Sequence, residues 1–262
     1  MKFAPILRMG NILWAKGGVP VKAAIIGGDE RFRYAAKWLN KMGHEARWMG
    51  KFPEGYIETA LVQREEDIVG DNFGVCFVQR GIGTREKTVY LENIEDYLLK
   101  NAFLTAEGAL KAVMGAEGHA LFGANCLVIG YGRIGRALTG MLRAMKAQVT
   151  VAVRPGKSMD RAETDGVPFL NMREMQDFVG KFDYIWNTVP ERVFSEKALS
   201  DISKDAGLFD LASAPFGFDI EEARSKDIWA ERLSGLPGKY CPDTAGRVIA
   251  QTMESVRKEV SI

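Results

Sequence analysis

The sequence predicts an α/β protein in two parts, each built on a parallel sheet with helices wound around it, the second part being the larger. Three observations predict it. Strand-like apolar runs alternate with helix-period stretches along most of the chain; a glycine-rich turn at 130–135 separates one such strand from a helix; and a second glycine turn, Gly27-Gly28, occupies the matching place near the start. The 262 residues allow one large core or two modest ones, since a single core stops growing at about 250–300 residues.

From Val21 the stretch VKAAIIGGDERFRYAAKWLNKMGHEARWMG reads as strand, Gly-Gly turn, helix to Leu39 and a stop at Gly43, a β-α-β opening. Phe73 to Gln79 is a further strand, 80–87 a charged glycine-containing loop, and Ile94 to Leu99 a short helix or strand. Thr105 to Gly118 reads as a helix capped by Thr105, with Leu110, Val113 and Met114 on one side, crossing from the first part to the second. Then come a strand at Cys126 to Ile129, a helix at Ile134 to Lys146, a β-branched strand at Val149 to Val153 and a charged helix near Met172 to Val179. Strands at Tyr184 to Trp186 and Leu208 to Leu211 flank a helix around Ser195 to Leu199; a shorter strand precedes Gly235, and a long helix closes the chain from Ala245 to Val260. The predicted division is an extension over 1–20, an N-terminal substrate domain over 21–104, a nucleotide-binding domain over 105–244 and a C-terminal helix over 245–262.

Composition narrows the function classes. Thirty-five Lys and Arg against 34 Asp and Glu leave a net charge of +1, too little for a nucleic-acid or membrane-surface footprint. No apolar run approaches the about 20 residues needed to span a bilayer. Cys76, Cys126 and Cys241 are an odd, unpaired set, two of them in apolar runs, so a disulfide framework is disfavoured and a reducing cytoplasm is expected. His44 and His119, the two histidines, stand near no cysteine at metal-ligand spacing, so no metal site is expected and both read as surface or cap residues. Residues 1–20 are basic and apolar but broken by Arg8, Gly10, Asn11 and Lys16, unlike a secretory core. Lys16-Gly17-Gly18 ahead of Val19 and Val21 suggests a ribosome-binding sequence before a GTG codon, which predicts translation starting at Val19 or Val21.

Gly130-Tyr131-Gly132-Arg133-Ile134-Gly135 matches G-x-G-x-x-G, and its place between an apolar strand and a helix, with another strand following, makes it a dinucleotide-binding Rossmann fingerprint. The fold class is therefore a doubly wound parallel-sheet Rossmann domain plus a smaller Rossmann-like α/β N-terminal domain. Gly130 serves the tight turn, Gly132 the approach of backbone to pyrophosphate and Gly135 helix–strand packing, while the helix N-terminus offers N–H donors to the anion. About 20 residues on, where NAD enzymes place an acidic residue, stand Arg154, Lys157 and Ser158. A guanidinium pairs with a 2′-phosphate through two charge-assisted bonds and gains little from a bare hydroxyl, which favours NADP; the alternative is a solvated charge at a strand end.

Asn187-Thr188-Val189-Pro190 follows a strand directly, so Asn187, Thr188 and Pro190 should lie at the carboxyl edge of the sheet and can line the nicotinamide. Asp210 to Pro215 and Gly235 to Gly238 follow the next two strands in the same way. No histidine occurs after His119, which excludes the hydroxyacid dehydrogenases that use a late His–carboxylate pair. Candidates for proton transfer are Glu107 and Asp210, with Asp243 and Lys239, and spacing does not choose among them.

The segment Ala23 to Arg31, Thr105-Ala106-Glu107-Gly108, the fingerprint with Arg154, the Asn187-Thr188-x-Pro190 turn, Asp210 to Ser213, Gly235-Leu236-Pro237-Gly238 and Pro242-x-Thr244-Ala245-Gly246 together resemble the dipicolinate synthase A-subunit family over most of 21–258. The resemblance implies oxidation of a dihydrodipicolinate-type precursor to dipicolinate with a pyridine nucleotide, beside a second, flavoprotein-like subunit; a homo-oligomer stays open, since the sequence does not show oligomeric state. It also implies a small dicarboxylate substrate, with Thr105 and Glu107 facing the cleft from the hinge and Ser213 and Gly238 from the loops. The chain departs from the pattern in a shorter first domain, in a loop reduced to Gly81-Ile82-Gly83-Thr84, and in Ala214 where the family has Arg; Arg80, Arg85 and Lys87 are the remaining cationic candidates for the diacid. Two rival readings stand beside it: a non-catalytic NADP-binding paralogue acting as sensor or scaffold, and a shikimate-dehydrogenase-like NADP dehydrogenase, which needs a Lys–Asp pair not found in the first domain.

Overall fold

Short, nearly continuous apolar runs such as AAII, CLVI and YIW, buried on both faces, form two parallel sheets. The computed structural model describes residues 20–48, 75–78, 88–116 and 118–259. The first sheet holds β1 (Lys22–Ile26), β2 (Glu45–Trp48), β3 (Val75–Val78) and β4 (Thr88–Tyr90) in the order β2-β1-β3-β4, all parallel. Helix α1 (Glu30–Lys41) follows β1; it starts at Asp29, whose carboxylate accepts from the Arg31 N–H. Helix α2 (Glu95–Met114) then leads to the second sheet.

That sheet contains β5 (Asn125–Ile129), β6 (Gln148–Val153), β7 (Phe169–Asn171), β8 (Tyr184–Asn187), β9 (Gly207–Asp210) and β10 (Trp229–Arg232), ordered β10-β9-β8-β5-β6-β7 and parallel throughout. Helices α3 (Arg133–Ala144), α4 (Lys157–Thr164), α5 (Glu196–Asp201) and α6 (Ile220–Ser225) make the crossovers, and α7 (Leu236–Tyr240) and α8 (Pro242–Glu259) end the chain. Side chains alternate across the strands: Cys126, Val128, Trp186 and Phe209 enter one hydrophobic cluster, Leu127, Ile129, Ile185 and Leu208 the other. Burial pushes the Cys126 thiol up to about 12, so it packs as a small apolar group. The predicted pair of α/β units, the larger doubly wound, is the observed architecture.

Several elements differ from the sequence reading. Ile94 to Leu99 and Thr105 to Gly118 belong to one 20-residue helix, α2. Thr105 sits in its middle and caps nothing: its hydroxyl donates to the Asn101 carbonyl one turn back, at 2.8 Å. Polar Asn101 and Thr105 look like a boundary in sequence, but no Gly or Pro separates them and the helix runs through. The helix expected near Met172 to Val179 is instead two short 3₁₀ turns, Met175–Asp177 and Val179–Lys181, with Met175 and Val179 buried. Strand β7 and helix α4 were not anticipated, being three and eight residues long, too short to show a period.

The last helix does not stand apart. Ile249, Ala250 and Met253 of α8 join Ala23, Ile25, Phe32 and Ala35 in the core under the first sheet. At Gly246 an added Cβ would lie 2.4 Å from Tyr34 Cβ and 2.7 Å from the Arg31 carbonyl oxygen, so glycine permits the close approach of α8 to α1. His44 is no surface group: 6% of its side chain is exposed, its Nδ1 accepts from the Val21 N–H at 3.3 Å, and its Nε2 lies 3.1 Å from Glu254 Oε2 of α8. His119 is half-buried and lies against Trp229, with ring centroids 4.4 Å apart and Nδ1 3.2 Å from the Tyr184 hydroxyl. Each histidine joins segments that the sequence separates. Of the two predicted start positions Val19 lies outside the described residues, as do the extension over 1–20 up to residue 19, Gly81 to Thr84, and Arg80, Arg85 and Lys87. Among the described residues no helix is long and apolar enough to cross a membrane.

Candidate functional site

In the second sheet the strand order reverses between β5 and β8, and the connections leaving their carboxyl ends diverge to opposite faces. Such a divergence leaves a crevice at the sheet edge. A cavity of about 420 Å³ fills it, lined by 130–134 from the loop after β5 and the start of α3, by Val153 at the end of β6 with Arg154 and Ser158 beyond it, by Met172, by Thr188 to Pro190 after β8, and by Leu98, Asn101 and Ala102 of α2.

The glycine loop has the shape its sequence requires. Gly130 adopts φ +92°, and a Cβ there would lie 2.5 Å from Thr188 Oγ1. A Cβ at Gly135 would lie 2.1 Å from the Gly130 carbonyl oxygen, so α3 can start against β5 only because this residue is glycine. Nothing lies within 4 Å of a Cβ at Gly132, which faces open space. Helix α3 begins there with no side-chain cap and no acidic residue in its first turn. Its leading N–H groups and the positive end of its dipole are therefore available to an anion, and the residues present fit a dinucleotide pyrophosphate.

The turn after β8 is held from behind. Asn187, fully buried, donates through Nδ2 to the Val189 carbonyl at 2.8 Å and to Asp210 Oδ1 at 2.9 Å, and accepts from the Val189 N–H at 3.1 Å. Thr188 donates to the Ile129 carbonyl at 2.8 Å. Asn187 thus shapes the cavity wall without lining it. Asp210, a candidate for proton transfer in the sequence, is also fully buried. Its carboxylate accepts from Asn187, from Ala212 N–H at 3.2 Å and from Gly217 N–H at 3.0 Å, and Arg232 Nε stands 3.8 Å away. A carboxylate so occupied anchors the loop that carries the cis Ala214–Pro215 bond; it does not present itself to a ligand.

Arginines flank the cavity. Arg133 forks onto Glu95 of α2, its Nε 2.9 Å from Oε1 and 3.1 Å from Oε2, which holds the Glu95 carboxyl below the usual carboxylate range and pushes the guanidinium up. Tyr131 donates to Asp165 Oδ2 at 3.0 Å; burial first, then that carboxylate, pushes its phenol up. Arg154 pairs with Glu191, the residue after the β8 turn. Lys157 is exposed at the start of α4. Of the residues singled out for the cofactor, Gly130 to Ile134, Arg154, Ser158, Thr188 and Pro190 meet at one cavity, Gly135 and Asn187 support it, and Lys157 is outside its lining.

The residues singled out for the substrate do not line this cavity. Thr105 is buried in α2, Glu107 two residues on is exposed, and Ser213 is exposed with its carbonyl accepting from the Phe216 N–H. Gly238 packs on the first unit: a Cβ there would lie 2.9 Å from Asp29 Cγ, as one at Gly108 would lie 2.8 Å from Leu236 Cβ. Asp243 accepts from the Trp38 indole at 3.2 Å, and Lys239 is exposed. The sequence reading passed over Asn101 and Arg31, whose guanidinium donates to Asp29 at 2.9 Å and to Asn101 Oδ1 at 2.8 Å, linking α1 to the cavity wall. It also passed over Glu191, although an acidic residue directly after a strand-edge turn is a signal of the kind sought at Arg154. Among the described residues no group of three or more His, Cys, Asp or Glu could hold a metal ion.

Residues 100–215 match the NAD-binding domain of the D-isomer specific 2-hydroxyacid dehydrogenases, a stretch that includes the glycine loop, Arg154 and the turn after β8. The dipicolinate synthase A-subunit of Bacillus subtilis (strain 168) is 26% identical over 225 residues, covering 79% of this chain and 74% of that protein. The crystal structure of the Bacillus subtilis dipicolinate synthase A chain superposes with a TM-score of 0.74 at 21% identity, covering 93% of this chain and 97% of that one. The structure of the corresponding dipicolinate synthase chain from Bacillus halodurans gives 0.72 at 22% identity, covering 90% and 97%. The resemblance carried by the motifs thus extends over 79% of the chain in sequence and over 93% of it in fold.

Proposed function

We propose that this chain, similar to the dipicolinate synthase A-subunit along most of its length, is an NADP-preferring oxidoreductase subunit that oxidises a dihydrodipicolinate-type precursor to dipicolinate. The observation that carries the reading is the cavity at the β5/β8 switch point, where glycine loop, Arg154 and the Thr188–Pro190 turn converge on one side and α2 closes the other. When bound, the nicotinamide supplies the hydride acceptor. The chain itself positions and shields: Gly132 and the first turn of α3 hold the pyrophosphate, Arg154 and Ser158 meet the adenosine end, and the Thr188–Pro190 turn borders the nicotinamide. Leu98, Asn101 and Ala102 exclude water from the opposite side. Loss of hydride from a ring carbon and of a proton to a base gives an aromatic ring, so most of the driving force resides in the substrate and the protein's task is orientation. Glu107, Thr105, Ser213 and Gly238 mark the hinge and loops that bring the substrate domain to the nicotinamide, and Glu107 is a proton-transfer candidate open to solvent. A cytoplasmic setting and a second, flavoprotein-like subunit belong to the same reading.

A non-catalytic paralogue is favoured by a different observation: among the described residues the cavity lining contains no Asp, Glu, His or Lys to move a proton. Calorimetric titration with NADPH and NADH, then with dipicolinate on the nucleotide-bound protein, separates the two. Tight NADPH binding that creates a dipicolinate site supports the oxidoreductase; nucleotide binding with no diacid response supports a sensor or scaffold.

A further inference from the structure

Arg154 leaves the end of β6 and Glu191 leaves the turn after β8, the two strands flanking β5, so their ion pair spans the mouth of the glycine loop. Both side chains are about half exposed, 58% and 48%, so the pair is screened by water and held only weakly. Beyond Arg154 a second cavity of about 550 Å³ opens, lined by Arg154, Asn171, Arg173, Gln176, Glu191 and Arg192 among others. Three guanidiniums and a single carboxylate thus surround it. Arg192 is engaged with Glu222 at 2.9 Å; Arg173 is exposed, and among the described residues its side chain has no hydrogen-bond or ion-pair partner.

Resting on the dinucleotide reading above, we infer that Glu191 is a specificity-determining residue that occupies the Arg154 fork in place of a ribose 2′-phosphate and so limits the preference for NADP over NAD. A 2′-phosphate needs the same guanidinium edge that Glu191 holds, and two anions cannot share it without repulsion. It must displace the carboxylate towards solvent, and Arg154 and Arg173 then face the phosphate together. A ribose with both hydroxyls free meets no such conflict: Glu191 accepts from a hydroxyl in the role usually taken by an acidic residue at the end of β6, where this chain has Arg154. The pair is therefore poised between the two cofactors, with Arg154 favouring one and Glu191 the other.

The test is the ratio of NADPH to NADH dissociation constants for the full chain, Glu191→Gln and Arg154→Gln, with thermal melts confirming that both surface variants remain folded. Glu191→Gln is expected to tighten NADPH about tenfold, as for one competing charge-assisted bond, while NADH is unchanged or weakened. Arg154→Gln is expected to move the ratio the other way. If Glu191→Gln shifts both nucleotides equally, or neither, the inference is overturned while the dinucleotide site stands. If the unaltered protein binds neither nucleotide, the dinucleotide reading falls and the inference with it.

Discussion

The six-stranded sheet carries a hydrophobic cluster on each face, one around Val128, Leu138 and Phe209, the other around Leu127, Ile185 and Leu199. The described part of the four-stranded sheet shares one cluster with α1, Tyr97 of α2 and the last helix, α8. The larger unit packs mainly with its own contiguous segment from β5 to β10; the smaller one is completed by residues more than 200 positions away in sequence, such as Ile249 against Phe32. The chain consequently crosses between the units twice, at α2 and at α7–α8. Glycines make those crossings tight: Gly108 against Leu236, Gly238 against Asp29 and Gly246 against α1. The cavity at the β5/β8 edge is formed almost wholly by the larger unit and closed by Leu98, Asn101 and Ala102 of the crossing helix α2.

The largest expected effect that sharpens this contrast is at Ile249, which is fully buried. Ile249→Ala should destabilise the smaller unit by about 2–5 kcal/mol and split chemical unfolding into two steps, with NADPH still protecting the second. One cooperative transition, equally shifted at every probe, would show that the units do not differ in autonomy. Next is Asn187→Ala in the larger unit. It removes a buried partner of Asp210 and frees the 188–190 turn, at a cost of about 1–3 kcal/mol, and should weaken both nucleotides while leaving the smaller unit's transition in place. Differential scanning calorimetry with and without NADPH reads both changes.

The smallest is the pH response of the clasp on α8. Arg257, hydrogen-bonding Glu254 at 2.8 and 2.9 Å, holds that carboxyl below the usual range, with His44 and Lys258 adding to the effect. A depressed folded value means the unfolded chain takes up this proton first. The stabilisation is complete above the ordinary glutamate value of about 4.3 and is lost as pH falls through the lower folded value. The smaller unit's denaturation midpoint should therefore drop on acidification below about pH 5, and Glu254→Gln should flatten the drop. A profile unaltered by the substitution would remove Glu254 from the account.

Much of the site was legible because its parts lie close in sequence or at fixed offsets from strands. The glycines of 130–135, the basic residue after β6 and the polar turn after β8 are each tied to the end of a strand, and parallel strands bring their carboxyl ends to one edge. The hinge was legible only as motif. Thr105, Gly108, Gly238 and Gly246 stand out in the sequence, but the first is a mid-helix residue and the glycines are points of close packing. Nothing local distinguishes a glycine that admits a ligand from one that admits a helix. Asp210 was misread for a related reason: a carboxylate at a strand end can face a ligand or its own loop, and three inward hydrogen bonds decide for the loop.

The sequence by itself determined the two α/β units, the glycine fingerprint and the cationic residue beyond it, because strand period, turn chemistry and helix start are set within a few residues. The tertiary structure alone decided that α8 completes the first unit, that His44 and Glu254 clasp it, that α2 walls the cavity and that Glu191 reaches Arg154. These depend on which surfaces meet once the crossings are folded, and contacts between residues far apart in the chain leave no period, spacing or composition for the sequence to display.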